Sequence, residues 1–126
     1  NPHGYHDPEH YTTARDLVTL AVYAMQNPQA AEIACALEYQ MAATGKRGTL
    51  TLYSGNELLN AFSPFYYRDA YGIKSGYTSA AGFCYVGMAR RGEMMLYAVI
   101  LNSRTRDRGW NDMARLFNYG FARMGY

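Results

Sequence analysis

Lysine is scarce in this 126-residue chain, which holds only Lys46 and Lys74, and there are two cysteines, four prolines and one tryptophan. Twelve basic and ten acidic residues leave a formal net charge of +2, too small to suggest a nucleic-acid partner. No run of Lys and Arg tracks a face; Arg104, Arg106 and Arg108 come nearest. No stretch approaches the ~20 apolar residues that cross a bilayer, and none has the form of a signal peptide. Repeats and low-complexity tracts are absent too. What is present argues for a folded domain: 49% hydrophobic and 17% charged residues exclude disorder, and the length suits one domain with a reasonable core. Cys35 and Cys84 each sit in an apolar context, so free buried thiols are favoured over a disulfide, and the redox compartment stays open.

Local signals divide the chain. Pro2 and Pro8, with His3, His6 and His10 around them, mark an irregular lead-in. Thr13-Ala14-Arg15-Asp16 has the form of a capping box, and Leu17, Leu20, Ala21 and Ala24 then recur at helical spacing. Asn27-Pro28 ends that helix, and Pro28 opens a second, short one reaching about Cys35. Glu38 to Ala43 and Thr49 to Tyr53 read as a partly polar hairpin around Thr44–Gly48. Phe62, Phe65, Tyr66, Tyr67 and Tyr71 read as loop aromatics packed on the body rather than as a cleft wall. Gly82 to Arg90 and Glu93 to Asn102 read as adjacent antiparallel strands largely covered by helices. Trp110 to Phe121 closes the chain as an amphipathic helix. This order implies an α+β fold, an antiparallel sheet packed with helices.

The most informative feature is Lys74-Ser75-Gly76, in the run from Tyr71 to Gly82. A cation, a hydroxyl and a glycine on consecutive positions make a compact receptor for a carboxylate, since the glycine lets a ligand approach the backbone. The same pattern, K-[ST]-G, is the third signature of active-site-serine enzymes that acylate on peptidoglycan stems or β-lactams. His3, His6 and His10 with Asp7 and Glu9 have ligand types that invite a metal reading. The blander reading is preferred, with His3 bonding its own loop backbone and no metal or other cofactor.

The flanks carry a family resemblance. Asn1-Pro2-His3-Gly4-Tyr5-His6-Asp7-Pro8 is similar to N-P-H-G-L-x-D, and His10 to Leu17 resembles a helix start of the form S/T-T-A-x-D-L. Asn56-Glu57-Leu58-Leu59 matches N-x-L-L, Gly72 to Cys84 is similar to G-I-K-T-G-Y-T-x-x-A-G-Y-C, and Asn118 to Phe121 resembles a closing Y-G-F. In this order they resemble the serine D-alanyl-D-alanine carboxypeptidases, the low-molecular-mass penicillin-binding proteins. Ser75 stands where Thr is commoner. The family's nucleophile lies in S-x-x-K, and no serine here has a lysine three residues on: Glu57, Tyr66, Thr78, Gly82 and Arg106 occupy those positions. Ser54-Gly55-Asn56 imitates the second motif, S-x-N, but follows rather than precedes N-P-H-G and reads as a turn.

The resemblance therefore implies that residues 1–126 are the C-terminal portion of one catalytic domain of the penicillin-binding and β-lactamase-like fold, beginning after the nucleophile. It implies a serine-type carboxypeptidase acting outside the cytoplasmic membrane on peptidoglycan stem peptides that end in D-Ala-D-Ala, with β-lactams as further ligands of the complete enzyme. Lys74 would support proton transfer and attract the carboxylate, Ser75 and Thr78 would bind substrate, and Gly76 would shape the site. The Tyr77 backbone N–H would line the oxyanion hole. Arg108 lies closest to the position of a carboxylate-reading arginine, with Arg106 and Arg104 as alternatives. The missing N-terminal half, or a homo-oligomer, would cover the sheet. A class A β-lactamase-type relative, or a non-catalytic peptidoglycan-binding module, are the alternative readings.

Overall fold

The Thr13 side chain accepts a hydrogen bond from the Asp16 N–H at 3.1 Å while the Asp16 carboxylate accepts from the Thr13 N–H at 3.3 Å. This reciprocal cap starts α1 (Ala14–Ala24) by satisfying N–H groups that have no partner within the helix. The computed structural model describes residue 1 and residues 3–126. Asn27 caps α2 (Pro28–Cys35), accepting from the Gln29 and Ala30 N–H groups, with Pro28 at the first turn where its missing N–H costs nothing. β1 (Glu38–Met41) and β2 (Leu50–Tyr53) form the expected hairpin, each strand shortened only at its turn end, as a separate and largely exposed two-stranded sheet.

The main sheet is antiparallel, with β3 (Ala70–Thr78), β4 (Gly82–Arg91) and β5 (Met94–Ser103) in the order β3-β4-β5. A register shift between Ala70 and Gly72 bulges β3 just before the lysine. The final helix, α3 (Arg106–Arg123), begins four residues earlier than its apolar period implies. The Thr105 side chain caps it by accepting from the Arg108 N–H.

α3 packs Trp110, Met113, Phe117 and Phe121 onto Phe83, Tyr85 and Ala89 of β4. Each of these large side chains leaves water almost completely, contributing about 1.5–3 kcal/mol apiece. Phe83 and Tyr85 both meet Trp110 edge-on, with centroids 4.8 Å apart. Arg91 anchors the far end: its guanidinium reaches Asp69 at 2.6 Å and lies over Phe121 at 4.3 Å. Gly72 and Met88 are paired and point to the opposite face, where α2 lies against β3 and α1 against β4 and β5. Phe65 and Tyr67 of the aromatic loop pack on the core, whereas Phe62 is fully exposed. Among the described residues no helix is long and apolar enough to cross a membrane.

Candidate functional site

Among the described residues β3 pairs with β4 alone, so the strand carrying Lys74-Ser75-Gly76 is an edge of the sheet. Lys74 is opposite Val86, Ser75 opposite Tyr85 and Gly76 opposite Cys84. Neighbouring strand residues alternate between faces, so Lys74 leaves the sheet on the side of α2 and Ser75 on the side of α3. Lys74 is exposed, and its ammonium folds back to donate to the Ser75 carbonyl. A Cβ added to Gly76 would meet nothing within 4 Å, so the backbone there is open to an approaching ligand.

Beside this strand lies a cleft of about 460 Å³, lined by Ile33 and Ala34 of α2, Ser54 and Asn56, and Lys74 and Ser75. Ser54-Gly55-Asn56 is the turn its sequence implies: the Asn56 N–H donates to Ser54 Oγ at 3.2 Å, and Asn56 Oδ1 accepts from the Leu58 N–H at 3.2 Å. Its position was not legible from the sequence, because the turn forms a wall of the same cleft as Lys74. Nor was a second connection. The Asn56 side-chain amide donates to the Tyr85 hydroxyl at 2.9 Å, and that hydroxyl donates to the Gly72 carbonyl at 2.7 Å. Burial pushes the Tyr85 hydroxyl well above the usual phenol range, the Asn56 bond offsetting part of the rise, so it stays protonated and able to donate. The one available signal was a tyrosine at an inward position of β4, whose hydroxyl needs a partner once buried.

The remaining candidates divide between the two ends of α3's first turn. Tyr77 is exposed, and the Arg106 guanidinium stands over its ring at 5.6 Å and near Phe83 at 5.9 Å. Arg108 turns away toward Asp112, at 3.9 Å, and faces a second cavity with Asn102, Ser103 and Arg104 at the end of β5. Thr78 Oγ1 accepts from the Ala81 N–H at 3.0 Å, closing the turn into β4 and leaving its own proton free to donate. Cys35 and Cys84 are free and half-buried, and burial raises the Cys35 thiol. Among the described residues no group of three or more His, Cys, Asp or Glu side chains could hold a metal ion, and His3 Nδ1 accepts from the Tyr5 N–H.

Comparison with known proteins follows the same strand. A family model described as D-alanyl-D-alanine carboxypeptidase matches residues 1–105, ending just before Arg106. D-alanyl-D-alanine carboxypeptidase DacB2 of Mycobacterium tuberculosis (strain ATCC 25618 / H37Rv) is 34% identical over 114 residues, 88% of this chain and 37% of that protein. D-alanyl-D-alanine carboxypeptidase of Streptomyces sp. (strain K15) is 29% identical over 116 residues, 89% of this chain and 38% of that protein. Among solved structures, Streptomyces K15 DD-transpeptidase superposes with a TM-score of 0.83 at 28% identity, covering 94% of this chain and 45% of that one. The D-alanyl-D-alanine carboxypeptidase from Mycobacterium tuberculosis H37Rv gives a TM-score of 0.79 at 32% identity, covering 96% and 45%. The chain thus spans well under half the length of these curated relatives.

Proposed function

Because this chain belongs to the D-alanyl-D-alanine carboxypeptidase family, we propose that it is the C-terminal, carboxylate-binding portion of a serine-type enzyme that trims peptidoglycan stem peptides. The observation that carries this reading is the edge strand with Lys74, Ser75 and an open Gly76 in a row. In the complete reaction a serine attacks the carbonyl between two terminal D-alanines, the last D-Ala leaves, and water hydrolyses the acyl-enzyme. Lys74 holds positive charge at the reacting centre, and Ser75 donates its hydroxyl to the substrate's terminal carboxylate, with Thr78 at the strand end as a further donor. The Tyr77 N–H supplies half of the oxyanion hole, where one donor is worth about 2.7–4 kcal/mol. β-Lactams would occupy the same strand, and the enzyme would work outside the bacterial cytoplasmic membrane.

The arginine that reads the free carboxylate is Arg106 rather than Arg108 in this proposal. A guanidinium suits the task through bidentate bonding. Arg106 already stands against Tyr77, and Arg108 is drawn toward Asp112. Alone, the chain has no Ser-x-x-Lys and is inactive by the family mechanism; the uncovered sheet is to be met by an N-terminal half or by another copy.

The test is to replace Lys74 or Ser75 by Ala in the full-length protein and follow acylation by a fluorescent penicillin. Loss of transition-state contacts should slow acylation on the order of a hundredfold, with little change in unfolding midpoint. Acylation at the parental rate by either variant removes the assignment. Absence of acylation in the full-length parent would instead favour the non-catalytic peptidoglycan-binding module.

A further inference from the structure

We propose that Asn56 and Tyr85 are positioning residues for the Lys74–Gly76 strand, acting through the hydrogen-bond chain from the Asn56 amide to the Tyr85 hydroxyl to the Gly72 carbonyl. The inference rests on the carboxylate-binding reading above for its functional consequence, though not for its geometry. The Tyr85 side chain is 1% exposed and Asn56 4% exposed, so neither end of the chain is exchanged for water. Two buried polar side chains thus act in series on a single backbone carbonyl, two residues before Lys74.

That carbonyl sits where β3 needs outside support. The ladder to β4 slips between Ala70 and Gly72, so regular pairing does not fix the strand at this point. On its outer edge β3 has no neighbouring strand among the described residues. The Tyr85 ring, by contrast, is rigidly held, edge-on to Trp110 in the core beneath α3. A phenol has one proton to give, and the Asn56 amide decides where it goes. By donating to the hydroxyl oxygen, Asn56 leaves the Tyr85 proton aimed at Gly72. Asn56 is itself fixed, because its Oδ1 holds the Leu58 N–H. The chain thus couples the turn walling the cleft to the core strand and to the start of the ligand-binding strand. Lys74 and Ser75 inherit their position from it, and Ser75 is also paired directly opposite Tyr85.

The test uses two variants that remove the Gly72 bond by different routes. Tyr85→Phe deletes the hydroxyl and keeps the ring against Trp110. Asn56→Asp keeps an acceptor for Leu58 but offers the Tyr85 proton a carboxylate, drawing it away from Gly72. In both, amide hydrogen exchange at Ile73 to Tyr77 should rise about tenfold or more, the size of one lost buried hydrogen bond, with β4–β5 amides unchanged. Penicillin acylation of the full-length protein should fall by a similar factor. Phe121→Leu, a core change at the Arg91 end of β4, serves as the stability control and should move neither readout. Unchanged exchange at Ile73–Tyr77 in both variants overturns the proposal, as does faster exchange with acylation at the parental rate. Failure of the carboxylate reading itself registers separately, as unchanged acylation in Lys74→Ala.

Discussion

The guanidinium of Arg106 stands 5.6 Å from the ring centre of Tyr77, so the first turn of α3 sets a permanent cation beside the last residues of β3. Arg108, two residues along the same helix, points toward Asp112 instead. Two residues correspond to about 200° of rotation on a helix, which is why neighbours in the sequence serve opposite sides.

This difference predicts an asymmetry between two alanine variants. In the full-length protein Arg106→Ala should lower kcat/KM for a peptide with a free terminal carboxylate by about tenfold or more, the loss of one charge-assisted pair. Activity toward the corresponding amide should change little. Arg108→Ala should leave the preference for the free acid intact. Equal losses in the two variants, measured on the acid and amide pair, would remove Arg106 from its role.

The isolated 126-residue chain should form no covalent adduct with a fluorescent penicillin, because none of its five serines precedes a lysine by three positions. Denaturing electrophoresis after incubation reads the outcome directly. A labelled band at stoichiometric intensity would reveal a nucleophile outside the Ser-x-x-Lys pattern.

Two glycines should respond oppositely to alanine. At Gly109 an added Cβ would lie 2.2 Å from the Phe83 ring, inside the α3–β4 contact. The helix-propensity gain of about 1 kcal/mol cannot offset that overlap, and a net loss of about 2 kcal/mol is expected by urea denaturation. At Gly76 the same change meets nothing within 4 Å. Gly76→Ala should hold stability within about 0.5 kcal/mol while weakening ligand binding, which needs that open backbone.

Stability should also fall in alkali through Tyr85. Its hydroxyl is raised by burial above the ordinary value of 10.0. As pH passes about 10 the unfolded chain loses this proton while the folded chain keeps it. The unfolded state then binds fewer protons and is favoured by up to about 1.4 kcal/mol per pH unit. Below that pH both states are protonated and the effect vanishes. Tyr85→Phe should therefore have a shallower decline in urea midpoint between about pH 9.5 and 11. Cys35, Tyr67 and Tyr97, whose values are also raised, contribute the same slope to both proteins. Parallel curves would contradict the buried, protonated hydroxyl.

Much of this architecture was written in local chemistry. The Thr13–Asp16 capping box, Pro28 at a first turn and the two apolar runs after Gly82 marked α1, α2 and the β4–β5 pair, because each signal acts over a few residues. The start of α3 was missed for the converse reason. Arg106-Asp107-Arg108 carries no apolar period, and the evidence for a helix there is the Thr105 cap rather than a buried face. Lys74-Ser75-Gly76 stood out as a tripeptide, and the structure adds its edge placement. The Asn56–Tyr85–Gly72 chain joins residues 29 and 13 positions apart. Only the folded sheet brings them together, and no pattern along the sequence encodes such a pairing. The opposite directions taken by Arg106 and Arg108 were likewise invisible until helical phase was known.

Under the proposed function, the position of β3 at the border of the sheet would make ligand capture and self-recognition compete for one resource. Its unpaired backbone groups are a template for any extended segment, whether a stem peptide or the corresponding strand of a second molecule. Each occupant displaces the other, so the apparent affinity for a peptide should decline as protein concentration rises. Conversely, a saturating peptide should act as a solubiliser, holding the chain dispersed at concentrations where the empty strand gathers copies of itself.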